Sequence, residues 1–215
     1  MIRKLMMTLA AGMFAGFVST AVSALPMSYV EGTHYFPTTE KLGKVEADEK
    51  DAIEVVEMFS YTCPHCFRLD PTIDEWKKTL PENVKFVRVP AIFRDSWLEL
   101  AKVFYAAEAR GELEALHPKL FKAIQVDKRR LTTEKALLDF VEEQGIDREA
   151  FAKTMNSFAV KGKVKKALVM SQTSGITGVP SMIVNGEYRT DTPSAGGQME
   201  DLLKVVDFLI QQSQQ

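Results

Sequence analysis

Phe59-Ser60-Tyr61-Thr62-Cys63-Pro64-His65-Cys66 contains the only two cysteines of this 215-residue chain, at C-x-x-C spacing. Thiols so spaced close a disulfide across the first turn of a helix. The preceding Ile53-Glu54-Val55-Val56-Glu57-Met58-Phe59 reads as a buried strand, and Phe67-Arg68-Leu69-Asp70 begins a helical stretch. A dithiol at a strand-to-helix junction, with no other cysteine to pair with, reads as a redox centre.

The chemistry follows from the thiolate, the nucleophile of disulfide exchange. Cys63 is expected at the helix N-terminus, where unpaired N–H groups and the positive end of the dipole favour an anion. Cys66 falls one turn later, directed inward and less accessible. Pro64 has a fixed φ and no N–H, which suits a first helical position. His65 adds a side-chain donor beside the sulfur and, when protonated, a positive charge. Lowering the Cys63 pKa by about three units would stabilise the thiolate by about 4 kcal/mol. That would make the disulfide more oxidising by up to roughly 90 mV.

Two thiols and a histidine could instead form half of a zinc site. Such a site needs four ligands, and the sequence has no second C-x-x-C and no H-x-x-x-H. His34 and His117 stand isolated and read as surface or packing residues, so no metal is expected.

The N-terminus reads as a secretory signal peptide over residues 1–24. Arg3 and Lys4 precede an apolar run from Leu5 to Val18, and small residues follow up to a cleavage site after Ala24. The apolar core is short for a membrane anchor. Export means an oxidising compartment, where disulfides persist. A bond closing so short a loop braces a fold poorly, and a mature chain of about 190 residues can build a core without one. Chemistry, not structure, therefore accounts for the pair. Charge is balanced, 27 basic against 29 acidic residues, so no field favours nucleic acid. The acidic run Glu46–Asp51 reads as a solvated loop, and Lys161, Lys163, Lys165 and Lys166 as a solvated helix face.

Residues 25–45 read as an extended lead-in. The helix opening near Cys63 is expected to run to Leu80, bent around Pro71, before a second strand at Val84–Val89. Ser96 and Glu99 have capping-box spacing ahead of a helix. Further helices are expected at His117–Val126, at Glu134–Gln144 capped by Thr132 or Thr133, and at Arg148–Asn156 capped by Asp147. After a helix at Val160–Ser174, Ser181–Val184 and Tyr188–Thr190 form a hairpin around Asn185-Gly186, and Gln198–Gln211 closes the chain. The fold class is α/β: a thioredoxin-like unit (25–92 and 158–215) interrupted by an all-helical insertion (93–157).

Thr177-Gly178-Val179-Pro180-Ser181 is the second informative segment. A proline just before a hairpin and paired with an upstream C-x-x-C is expected to be cis, exposing the Val179 backbone to an extended peptide. Having no N–H, Pro180 also leaves the neighbouring thiol without a competing donor.

Together these residues resemble the DsbA family of periplasmic thiol–disulfide oxidases. The resemblance rests on Cys63-Pro64-His65-Cys66, Gly178-Val179-Pro180 with Asn185-Gly186, Glu57 six residues before Cys63, and Asn156-Ser157-Phe158. It runs from about Glu31 to the last helix, and Ser194-Ala195-Gly196-Gly197 looks more like the shorter pseudomonad members. It implies that Cys63 forms the mixed disulfide with substrate, that Cys66 resolves it, and that Val179 and Pro180 line the substrate groove. Glu57 would be a buried carboxylate that moderates the thiolate and relays a proton. Where the family often has a lysine on the neighbouring strand, this chain has Arg88, which does not titrate in the usual range. It is expected to pair with Glu57 and keep it ionised, weakening the relay.

The resemblance further implies a monomer that oxidises newly exported, unfolded proteins and is reoxidised by a quinone-linked membrane partner of the DsbB type. No bound cofactor is implied, because the dithiol carries the electrons. A disulfide isomerase or reductase on the same fold is the nearest alternative. A redox-inactive peptide-binding chaperone using the Pro180 groove is an alternative of another class.

Overall fold

The computed structural model describes residues 28–45 and 52–214. The expected signal peptide and the acidic run Glu46–Asp51 lie outside them. The chain runs β1 (Phe36–Pro37), β2 (Ile53–Phe59), α1 (Pro64–Trp76), β3 (Val84–Pro90), then four helices: α2 (Leu98–Ala109), α3 (Leu113–Gln125), α4 (Glu134–Glu143) and α5 (Arg148–Met155). There follow α6 (Phe158–Thr173), β4 (Ser181–Val184), β5 (Tyr188–Asp191) and α7 (Met199–Ser213).

All seven residues of β2 are buried, because β2 lies inside a five-stranded sheet of order β1-β5-β4-β2-β3. It runs parallel to β3, from Ile53 opposite Val84 to Phe59 opposite Pro90, and antiparallel to β4, with Glu57 opposite Met182. Burial on both faces is why it reads as a nearly continuous apolar run. Strand alternation sends Val55 towards Leu69 and Ile73 of α1 and Leu202 and Val206 of α7. Val56 and Met58 face the other layer, with Val103 and Phe104 of α2 and Val160 and Val164 of α6. Each such fully buried aliphatic side chain stabilises the fold by about 1.5–3 kcal/mol, so the strand leading to Cys63 is firmly seated between two cores.

Several helix ends differ from the sequence reading. α1 stops at Trp76, and the chain tightens into a 3-10 turn at Lys77–Thr79; Pro71 sits inside the helix without ending it. The Ser96–Glu99 capping box does not form. Ser96 lies in a 3-10 turn, α2 starts at Leu98 with no side-chain cap, and Glu99 pairs with Lys102 at 2.7 Å. α3 starts at Leu113, ahead of His117, and Leu113, partly buried, packs on the core one turn before the histidine. α6 begins at Phe158, where the Ser157 hydroxyl accepts from the Val160 N–H. Thr133 and Asp147 cap α4 and α5 as their sequences indicate. Lys161, Lys163, Lys165 and Lys166 lie on the exposed face of α6.

The hairpin joining β4 to β5 spans three residues, not two: Val184 pairs with Tyr188, and the Glu187 N–H donates to the Val184 carbonyl at 3.0 Å. Asn185 and Gly186 both have positive φ, 54° and 67°. Gly186 is required twice over, since a β-carbon there would collide with the carbonyl of Leu42.

Candidate active site

β2 ends at Phe59, and the chain turns through Ser60-Tyr61-Thr62, closed by a 3.0 Å bond from the Cys63 N–H to the Ser60 carbonyl. Cys63 is the N-cap of α1 and Pro64 occupies its first turn, so the sulfur meets backbone amides that have no helical partner. The Cys66 N–H donates to Sγ of Cys63 at 3.5 Å. Cys63 is partly exposed and Cys66 fully buried, both as free thiols.

The two sulfurs are driven apart in acidity. The Cys66 thiol, donating to Cys63, is the largest influence lowering the Cys63 pKa from 9.0 to about 6; the Cys66 and His65 amides and the His65 charge add to it against the cost of burial. Burial, then the hydrogen bond to Cys63 and the charge of Glu57, push the Cys66 thiol far upwards. Cys63 is thus the more acidic thiol of the pair, and Cys66 the one that keeps its proton. His65 is exposed, and its Nδ1 accepts from the Arg68 guanidinium at 2.9 Å.

Opposite the dithiol, the Val179–Pro180 peptide bond is cis. The Cys63 thiol donates to the Val179 carbonyl at 3.2 Å. A groove of about 700 Å³ opens beside this contact, lined by His65, Arg68, Val179, Pro180 and Met199.

Glu57 is buried, 2% exposed, and accepts from Arg88 Nε at 3.1 Å. The pairing is as expected, but the consequence is reversed. Burial outweighs the guanidinium and raises the Glu57 pKa from 4.5 to about 7. The charge of Asp70 pushes in the same direction as burial. Arg88 also donates to Asp70 at 2.6 Å and to Asp74 at 3.1 Å, and Asp74 pairs in addition with Lys77 at 2.8 Å, so the guanidinium is shared and the most buried carboxyl group is left under-compensated. Glu57 is therefore not held ionised, and it titrates near neutrality.

Sequence reasoning missed the continuation of this network. His117 is not isolated: it is 5% exposed, its Nε2 lies 3.2 Å from Asp70 Oδ1 and its Nδ1 lies 2.7 Å from the Tyr61 hydroxyl. It does pack, edge-on against Phe59 and Phe121. Two signals were present. Cys66, Asp70 and Asp74 recur at helical spacing on α1, and His117 is in phase with Leu113, Leu116 and Leu120 on α3. Among the described residues, no three histidine, cysteine or carboxylate side chains are arranged to hold a metal. Nor is any helix there long and apolar enough to cross a membrane.

Compared with known proteins, residues 81–204 match the family model of the DSBA-like thioredoxin domain. The chain belongs to the DsbA family. It is 41% identical over 183 residues to the thiol:disulfide interchange protein DsbA of Pseudomonas aeruginosa, covering 85% of each chain. It is 40% identical to that of Azotobacter vinelandii over 94% of this chain and 90% of the relative. The crystal structure of Pseudomonas aeruginosa DsbA superposes with a TM-score of 0.79 at 39% identity, over 86% of this chain and 95% of that one. The likeness to pseudomonad DsbA proteins and the thioredoxin-like fold agree with the sequence reading. This DsbA-family chain is accordingly a protein thiol–disulfide oxidoreductase.

Proposed function

We propose that this protein works as an oxidase, passing its Cys63–Cys66 disulfide to exported proteins as they fold. A substrate thiolate attacks Sγ of Cys63, the Cys63–Cys66 bond breaks, and Cys66 leaves and takes up a proton. The second substrate thiolate then attacks the substrate sulfur of the mixed disulfide and expels the Cys63 thiolate. The substrate loses two electrons and the dithiol gains them. Where the second attack fails, Cys66 resolves the mixed disulfide. Val179 and Pro180 receive the extended substrate chain. Glu57, titrating near neutrality, supplies a proton for Cys66; its charge acts on that thiol.

The observation that carries this reading is the asymmetry of the two thiols. A Cys63 pKa near 6 stabilises the reduced form and makes Cys63 the better leaving group, both of which favour giving the disulfide away. The same proposal places the protein in the periplasm after cleavage following Ala24. It has it act as a monomer, with residues 93–157 inserted in the thioredoxin-like unit and no cofactor beyond the disulfide. A quinone-linked DsbB-type membrane oxidase restores the disulfide.

Equilibration of the mature protein with glutathione buffers tests it, together with alkylation of the reduced protein across pH. An oxidase is mostly reduced by mild glutathione and is alkylated with a midpoint near 6. A bond as hard to reduce as a structural bridge, or a midpoint near that of a free thiol, would rule it out.

A further inference from the structure

Tyr61 is the hinge between the dithiol and the helical block. It stands two residues before Cys63, within the turn closed by the Cys63-to-Ser60 bond, and it is 2% exposed. Two side chains of α3 hold it from opposite ends. Gln125 Nε2 donates to the Tyr61 backbone carbonyl at 2.7 Å, and His117 Nδ1 meets the Tyr61 hydroxyl at 2.7 Å. The proton positions follow from the partners. Asp70 Oδ1 already accepts from Arg88, so His117 donates to it through Nε2–H and accepts the Tyr61 hydroxyl proton at Nδ1. Burial favours this neutral imidazole. The charged groups reaching His117 are Asp70 and Asp74 of α1 and Arg88 of β3. Phe59, Phe104 and Phe121 enclose the imidazole edge-on, and Phe121 also packs on Tyr61 at 4.9 Å between ring centres.

We propose that Gln125 and His117 are positioning residues: through Tyr61 they hold the Ser60–Cys63 turn so that Sγ of Cys63 faces the free amides of α1. Anion stabilisation at a helix end fades within one turn, so a small rotation of this turn weakens it. The helical block thereby sets the chemistry of the dithiol from behind. This inference rests on the reading of Cys63 as the stabilised thiolate of an oxidase.

The test uses Gln125→Met, which keeps the side-chain length and removes the donor, and Tyr61→Phe, which keeps the ring and removes the hydroxyl. Gln125 is only half-buried, so its variant is expected to fold. Thiolate absorbance across pH, the glutathione equilibrium and the thermal midpoints of both redox forms are measured for each variant and the wild type. Each variant is expected to raise the thiolate midpoint by roughly half a unit and lower the oxidising equilibrium constant about threefold. Equal thermal losses in both redox forms, with the thiolate midpoint unmoved, would mean a merely structural contact and overturn the proposal. A wild-type midpoint near that of a free thiol would sink the oxidase reading, and the clamp with it. A low wild-type midpoint that neither variant moves would sink the clamp alone.

Discussion

Sγ of Cys63 lies 3.2 Å from the carbonyl oxygen of Val179, and the thiol donates to it. This bond needs the protonated thiol, the form reduced Cys63 takes below about pH 6; in the disulfide Cys63 has no hydrogen to give, and the carbonyl is free to accept an N–H from an extended chain, as an added strand would supply. In mildly acidic solution, the redox state of one residue therefore controls the hydrogen-bonding capacity of the other.

At about pH 5, where reduced Cys63 keeps its proton, an unreactive peptide with serine in place of cysteine should accordingly bind the oxidised protein several-fold more tightly than the reduced one. Titration of both forms, followed by amide NMR shifts around Val179, checks this. Equal affinities would show that the carbonyl takes no part in recognition.

Burial separates the two thiols as strongly as acidity does. Cys66→Ser is expected to leave Cys63 open to alkylation and, offered a disulfide-containing peptide, to trap it as a mixed disulfide: the Cys63 thiolate displaces one peptide sulfur, and no Cys66 thiol remains to break the new bond. In Cys63→Ser, the fully buried Cys66 should react at least about tenfold more slowly than Cys63 does in the converse variant, until the protein is unfolded. Mass-resolved alkylation time courses distinguish the two.

The pH dependence has a definite sign. A thiol whose pKa falls from 9.0 to about 6 on folding adds stability that is complete above 9.0, declines as pH drops, and is gone below about 6. The oxidised form has no such thiol. Between about pH 8 and pH 5, the stability of the reduced form relative to the oxidised form should fall by about 1–2 kcal/mol, allowing for solvent screening. Urea unfolding of both forms at the two pH values measures it. A constant difference would contradict the lowered Cys63 acidity.

Glu57 works in the opposite sense. Its pKa rises from 4.5 to about 7, so ionising it costs stability that is lost progressively as pH climbs between those values. Glu57→Gln in the oxidised protein should therefore gain on the wild type by up to about 3 kcal/mol between pH 5 and pH 8. A gain independent of pH would show that Glu57 is ionised throughout.

Arg88→Met should behave differently again. It strips Glu57 and Asp70 of a buried cation, and breaking such a cluster from one side costs about 3–5 kcal/mol. The loss should shrink in the Glu57→Gln background, where one carboxylate has already been neutralised. Denaturant unfolding of the single and double variants tests the coupling.

Local signals carried much of the fold. Ile53–Phe59 was legible because a strand buried on both faces has to be apolar along its length. Thr133 and Asp147 were legible because capping needs only a short polar side chain and the following amide. The Ser96–Glu99 box was misread because the same four-residue pattern also suits a 3-10 turn. Lys102, three residues beyond Glu99, took up the carboxylate instead.

The sequence by itself determined that two thiols sit at a strand-to-helix junction, and that Cys63 meets the free amides of a helix start. Those are relations between near neighbours, set by backbone geometry and residue type. Only the tertiary structure decided that Glu57 titrates near neutrality beside an arginine, and that His117 and Gln125 reach Tyr61 from 56 and 64 residues away. Desolvation and the sharing of Arg88 among neighbouring acids depend on everything packed around a group. Neither can be read from the residues adjoining it in the chain.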